Sequence, residues 1–130
     1  MTEIERFGSD NPWEATVGYC RAVRAGDYVH VAGTTATVEG VVVGIGDAAE
    51  QTRVALGLVA DALTRAGAAM ADVVRTRMFV VNIADWELIG RVHGEFFAAV
   101  RPVATMVEVS RLIDRNHLVE IEVDAYAPRG

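Results

Sequence analysis

Three carboxylates stand at alternate positions of one apolar segment, Glu120, Glu122 and Asp124 between Val119, Ile121, Val123 and Ala125. Strand side chains alternate with period two, so if the apolar set faces a core the three acids share the opposite face. Like charges on one face repel, and a fully buried trio needs donors; an exposed sheet face is the plainer reading. The alternative is that this face forms part of a polar cavity. The other titratable residues are scattered. His30 sits in an apolar strand, His117 in a turn and His93 on the apolar stripe of a helix, positions that suit satisfied core or interface histidines. Cys20 is the single cysteine, which excludes an intrachain disulfide and a multi-cysteine metal site and reads as a small, semi-buried residue. No metal-ligand spacing and no phosphate-binding glycine loop occurs, so no metal or other cofactor is expected; Gly40, Gly44 and Gly46 read as turn residues.

These residues have to be positioned by a short series of strands and helices. Arg24-Ala25-Gly26-Asp27 marks a tight turn between a strand ending near Val23 and the run Tyr28–Ala32, after which Gly33 breaks the pattern. Gly8-Ser9-Asp10-Asn11-Pro12 is a turn-forming cluster that disfavours a separate helix and leads into the first strand. Val38–Gly44 reads as a short strand or a valine-packed loop. Asp47, with Glu50 three residues on, matches a capping box for a helix carrying Val54, Leu58, Val59, Ala62, Leu63 and Ala66 at helical spacing and closed by Gly67. Val73–Val81 is a β-branched central strand, and Trp86, Ile89, His93, Phe96, Phe97 and Val100 form a second helical stripe from an Asp85 cap to Arg101-Pro102. Segments 104–109 and 119–125 complete an α+β order β-β-α-β-α-β-β, in which two helices cover one face of a sheet and the other face needs a partner.

The chain has 130 residues, enough for a single domain spanning 1–130. An apolar fraction of 52% is high for a small monomer and points to self-association. The net charge of −6, with no Lys/Arg cluster, argues against electrostatically driven nucleic-acid binding. All the basic side chains apart from His are Arg, a type suited to planar carboxylate recognition. The acidic opening Met1–Arg6 lacks a basic start followed by an apolar run, and no stretch reaches the roughly 18 apolar residues of a membrane span, so a cytoplasmic protein without membrane contact is expected.

Several pieces, in order and at matching spacing, carry a family resemblance across nearly the whole chain. They are Gly18-Tyr19-Cys20-Arg21-Ala22, Val31-Ala32-Gly33-Thr34, Glu50-Gln51-Thr52, Ala66-Gly67 with Asp72-Val73-Val74, Asp85-Trp86 with Phe96-Phe97, Arg101-Pro102, Val107-Glu108-Val109 through Leu112, and Val119-Glu120-Ile121-Glu122. The chain resembles the RidA family, also called YjgF or reactive intermediate deaminase proteins and formerly L-PSP endoribonucleases. The resemblance implies a chorismate-mutase-like α+β fold and a homotrimer with three clefts between subunits. In the archetypal enzymes these clefts hydrolyse enamines and imines of 2-amino acids to a 2-keto acid and ammonia.

Carried over position by position, the resemblance gives Glu120 the support of the attacking water, Tyr19 the pocket tyrosine, and Ala32, Gly33 and Thr34 the backbone that lines the pocket. The archetype's carboxylate-gripping arginine, shortly after the motif proline, corresponds to Ala104. Its small residue and cysteine correspond to Thr105 and Met106, its helix asparagine to Gly90 and its helix tyrosine to His93. Loss of a charge-assisted pair in a desolvated site costs about 2–5 kcal/mol, so Arg21, beside Tyr19, is a candidate replacement anchor. Three readings stay open: a trimer that binds or transforms a small metabolite without the usual arginine, a deaminase with a relocated anchor, and a non-catalytic ligand- or partner-binding trimer. Ribonuclease activity is the weakest option for a chain with neither a basic track nor a paired-histidine arrangement suited to phosphodiester cleavage.

Overall fold

In the computed structural model, residues 3–129 are described; Met1 and Thr2 of the acidic opening stretch, and Gly130, lie outside them. The elements in chain order are β1 (Ile4–Phe7), β2 (Ala22–Ala25), β3 (Tyr28–Thr34), β4 (Thr37–Val38), β5 (Val41–Val42), α1 (Ala48–Arg65), β6 (Val73–Val80), α2 (Trp86–Phe97), β7 (Val103–Glu108) and β8 (Val119–Tyr126). Six strands form one mixed sheet in the order β1-β2-β3-β8-β6-β7, and β4 and β5 make a separate hairpin. All pairs in the large sheet are antiparallel except β6 with β7, which α2 connects as a parallel crossover.

The alternation of β8 becomes the division between the two faces of the sheet. Val119, Ile121, Val123 and Ala125 are buried with Val29, Val31, Met78 and Val80 beneath the helices, while Glu120, Glu122 and Asp124 lie half-buried on the other side. Arg77 stands opposite Glu122 on β6, and His30 opposite Asp124 on β3.

Helix α1 starts at Asp47, whose Oδ1 accepts the Glu50 N–H at 3.0 Å. The Glu50 carboxylate turns to Arg53 instead of reaching back, so only half of the expected box forms. At the other end Gly67 adopts φ +83°, the left-handed geometry of a helix stop. The buried stripe also differs from the sequence expectation. It runs through Ala48, Gln51, Thr52, Ala55, Leu56, Val59 and Leu63, with Val54, Leu58 and Ala62 at its margins. Small residues let the helix sit close to the sheet, and its two buried polar groups are satisfied: Thr52 donates to Ala48 O at 2.7 Å and Gln51 binds a loop described below. The two helices are joined outside by a fork from Arg53 to Glu95, with Nη2–Oε2 at 2.9 Å. Asp85 gives α2 no side-chain cap; Asn82 accepts the Ala84 N–H in the preceding turn instead.

Two elements were not expected from sequence, and a third segment, open between strand and loop, takes a definite form. Strand β1 precedes the turn-forming cluster and pairs along β2. A π-helical turn, Glu14–Gly18, follows that cluster where a helix was disfavoured; Glu14 Oε1 accepts the Ser9 N–H at 3.1 Å and ties it to the turn. The valine-rich stretch resolves into the β4–β5 hairpin, turned by Glu39 and Gly40 with φ of 52° and 79°, the primed geometry that matches strand twist. Among the described residues no helix is long and apolar enough to cross a membrane.

Arg24 is 1% exposed and has no carboxylate partner among the described residues. Its guanidinium donates instead to four carbonyls: Nε to Ala66 at 2.9 Å, Nη1 to Gly26 at 2.9 Å and Ala127 at 3.0 Å, and Nη2 to Gly67 at 3.1 Å. One side chain therefore ties the β2–β3 turn, the end of α1 and the exit from β8, and its charge meets the negative end of the helix dipole. Arg24→Met leaves these buried acceptors without donors and is expected to reduce stability by about 3 kcal/mol or more, read as a lower urea midpoint. Arg24→Lys, whose ammonium cannot span all three segments, should fall between the two.

Candidate functional site

Strand β3 bends at Gly33, where its register with β8 shifts between Val31 and Thr34. The bend brings backbone against the Glu120 side chain. A Cβ built on Gly33 would lie 2.4 Å from Glu120 Oε2 and 2.9 Å from its Cδ, so only glycine leaves the carboxylate its place. Glu120 faces a hollow lined by Tyr19, Arg21, Ala32, Gly33, Thr34 and His117, among others. Burial pushes its carboxyl above the usual range, against the opposing pull of the Arg21 and His117 charges.

The three carboxylates of β8 are not equivalent. Asp124 takes His30 Nδ1 at 2.7 Å and Arg77 Nη1 at 3.2 Å, and Glu122 shares that guanidinium at 3.3 Å. Glu120 forms no ion pair among the described residues. Donors thus neutralise two of the acids, and the third is left facing the hollow with the free capacity to accept a proton.

Arg21 reaches the same hollow, with two of its five N–H donors bound to β3. Nη2 donates to Gly33 O at 2.9 Å and Nη1 to Thr34 Oγ1 at 3.4 Å, its guanidinium carbon lies 5.8 Å from the centre of the Tyr19 ring, and its buried Nε has no partner. The guanidinium holds the bend of β3 as much as it faces the space beyond. Tyr19 also takes an N–H from Asn11 at 3.3 Å, which links the π-helical segment to the rim.

The remaining candidates gather elsewhere. On α2, His93 Nε2 lies 2.9 Å from Thr76 Oγ1 and its ring packs 4.6 Å from Phe97; burial lowers its pKa, which favours the neutral ring. Ala104 is the β7 partner of Thr76, and Met106 that of Met78, so both belong to the helix side of the sheet, at its β7 edge. A Cβ on Gly90 would meet nothing within 4 Å. Thr105 pairs with Arg77 and points to the opposite face from its two neighbours. Within one chain, therefore, Tyr19, Arg21, Ala32, Gly33, Thr34 and Glu120 share the hollow. Gly90, His93, Ala104 and Met106 lie on the far side of β6.

His117, whose place in a turn suited a satisfied histidine, lines the hollow with Glu120, as do Thr35 and Thr37, to which sequence reading assigned no role. The signal for His117 was its place three residues before Glu120, but the loop geometry that turns it inward leaves no periodic trace. Among the described residues no group of three or more His, Cys, Asp and Glu side chains is arranged to hold a metal ion.

Comparison with known proteins places this geometry in a lineage. The family model described as endoribonuclease L-PSP matches residues 9–127. An uncharacterized protein of Streptomyces coelicolor is 44% identical over 123 residues, covering 95% of this chain and 92% of its own. The 3-aminoacrylate deaminase RutC of Acinetobacter baylyi is 36% identical over 104 residues, covering 79% of this chain and 82% of its own. Among solved structures, a Mycobacterium tuberculosis member of the YjgF/YER057c/UK114 family superposes with a TM-score of 0.87 at 47% identity, over 96% of this chain and 100% of the other. The mixed sheet, its paired helices and a match over nearly its full length make this chain a member of the RidA/YjgF family.

Proposed function

We propose that this single-domain chain forms a cytoplasmic homotrimer of the chorismate-mutase-like type, whose clefts at the subunit seams bind and transform a small metabolite that is not anchored by the family's usual arginine. The observation that carries the reading is the split of the candidate residues across the sheet. Glu120, Gly33 and Tyr19 lie on one side, and His93, Ala104 and Met106 on the other beyond β6. A cleft that joins the two sets takes one from each of two copies. The uncovered sheet face, with Tyr28, Tyr126, Val103 and Val107 exposed, supplies apolar surface for such a seam.

Glu120 is the proton acceptor of this reading. Its unpaired, half-buried carboxylate is suited to taking a proton from water. Ala104 at the arginine's place offers no donor to a carboxylate, which favours a ligand held by shape and by neutral groups. A second reading, an enamine or imine deaminase anchored by Arg21, is favoured by the position of that guanidinium beside Glu120 and by the deaminase activity in the name of the Acinetobacter relative. The bonds from Arg21 to Gly33 and Thr34 count against it, since an anchor must spend its donors on substrate.

The deciding assay is ammonia release from freshly generated 2-aminoacrylate, with the oligomeric state followed by light scattering. Wild-type turnover that drops about 100-fold in Glu120→Gln supports the catalytic role; turnover untouched by that change removes Glu120 from the mechanism, and a monomer in solution defeats the seam. A ligand retained in the cleft with no turnover would make the protein a binding trimer.

The same variant has a stability signature. A carboxyl with a raised folded-state pKa contributes stability below its ordinary range and loses it as pH rises through the folded value. Glu120→Gln should therefore gain in melting temperature relative to wild type as pH increases from 4 towards 7, and a constant difference across that range would contradict the burial effect. Gly33→Ala should displace the Glu120 carboxylate and abolish ligand binding or turnover in a folded protein, because its Cβ would stand 2.4 Å from Oε2. Ala104→Arg should either raise activity on 2-aminoacrylate or exclude the present ligand; a folded trimer with unchanged turnover and affinity would remove residue 104 from the cleft.

A further inference from the structure

His117 is held in the hollow more firmly than a loop histidine requires. It is 9% exposed, its Nε2 lies 2.7 Å from Thr37 Oγ1, and Thr35 Oγ1 lies 3.3 Å beyond. Gln51, wholly buried on α1, grips the backbone on both sides of it, donating Nε2 to Asn116 O at 2.8 Å and accepting the Leu118 N–H at 2.7 Å. The His117 N–H itself goes to Asp114 O at 3.0 Å. A buried polar side chain spent on fixing two consecutive peptide planes sets the direction of the residue between them. With Nε2 committed to Thr37, Nδ1 is the ring nitrogen without a protein partner among the described residues.

We propose that His117 is the second proton-transfer group of the Glu120 site, acting in hydrolysis of the C=N bond of a small imine, and that Gln51 is its positioning residue. The inference rests on the catalytic form of the function proposed above. In the overall step the water oxygen becomes doubly bonded to the imine carbon, and the C=N bond breaks with its electrons leaving on nitrogen. Both water protons end on that nitrogen to give ammonia, one passed through Glu120 and the other through His117. Each group then regains its starting protonation. Two carriers suit the reaction because one must accept a proton while the other donates.

The charged groups around the pair come from six segments: Asp10 after β1, Arg21 just before β2, Glu39 in the β4–β5 turn, Asp61 and Arg65 on α1, Asp114 in the loop before β8, and Glu122 on β8 beside Glu120. Glu122 is compensated by Arg77 and Arg21 is bound to Gly33 and Thr34. In the same hollow, a charge on His117 pulls against the upward push that burial gives the Glu120 carboxyl.

The test measures the pH dependence of ammonia release from freshly generated 2-aminoacrylate, which tautomerises to the imine, for wild type, His117→Gln and Thr37→Val. The expected result is a fall of about 100-fold in kcat for His117→Gln with KM nearly unchanged, loss of one limb of the wild-type profile, and partial recovery with added imidazole in His117→Gly. Thr37→Val should keep the fold and displace that limb. Wild-type turnover with an intact profile in His117→Gln overturns the role of His117 while leaving the Glu120 reading in place. A wild-type protein inert on 2-aminoacrylate and on a panel of imines overturns both. If His117→Gln fails to fold, the ring C–H resonances of His117 decide: a titration that Glu120→Gln leaves unmoved overturns the pairing, and one that moves to lower pH supports it.

Discussion

The period-two alternation of β8 governs this molecule. Lying between β3 and β6, it sends Val119, Ile121, Val123 and Ala125 into the core and Glu120, Glu122 and Asp124 out of it. A slip of one residue would place three carboxylates under the helices, at a desolvation cost no packing gain could offset. The register is therefore set by burial. Everything on the open face follows from it, including the pairing of Arg77 and His30 with two of the acids and the isolation of the third.

Two buried polar side chains translate that sheet into a site. Arg24 ties the β2–β3 turn, the end of α1 and the end of β8 through carbonyls alone. Gln51 does the same for the loop that enters β8. Both satisfy backbone groups that would otherwise be orphaned: Gln51 fixes the loop beside Glu120, and Arg24 the opposite end of β3 and β8. The approach of Gly33 to Glu120 is tolerable only in such a framework, since it depends on β3 bending at one residue.

The electrostatics of the hollow follow from unequal solvation. Glu122 and Asp124 share a guanidinium and behave as a surface network, whereas burial holds Glu120 towards its neutral form. Arg21 turns two of its donors inward to the bend of β3, and residue 104 is an alanine at an edge strand. Those two Arg21 donors are thus committed to β3, and a bidentate fork in a desolvated site is commonly worth a few kcal/mol. The chemistry available is that of proton transfer, with a carboxylate and an imidazole in one hollow.

What could be determined from residues alone was whatever has a local period or a local cap. The apolar alternation of 119–125, the Asp47 start and Gly67 stop of α1, the β2–β3 turn, which falls at Gly26-Asp27 with Arg24 and Ala25 still in the strand, and the placing of Glu120 opposite the core all depend on neighbours a few positions away. The family motifs added Tyr19 and Gly33. Strand β1 escaped because four residues with Glu5 and Arg6 side by side between Ile4 and Phe7 carry no apolar alternation, and the buried stripe of α1 was displaced because Gln51 and Thr52 are polar yet satisfied within the fold. Only the tertiary structure decided which acids are neutralised, that Arg21 is spent on Gly33, and that His117 faces the Glu120 hollow. Those outcomes depend on contacts between residues 12 to 94 positions apart, and side-chain direction across such separations is set by loop closure and hydrogen-bond satisfaction, which leave no periodic mark in a sequence.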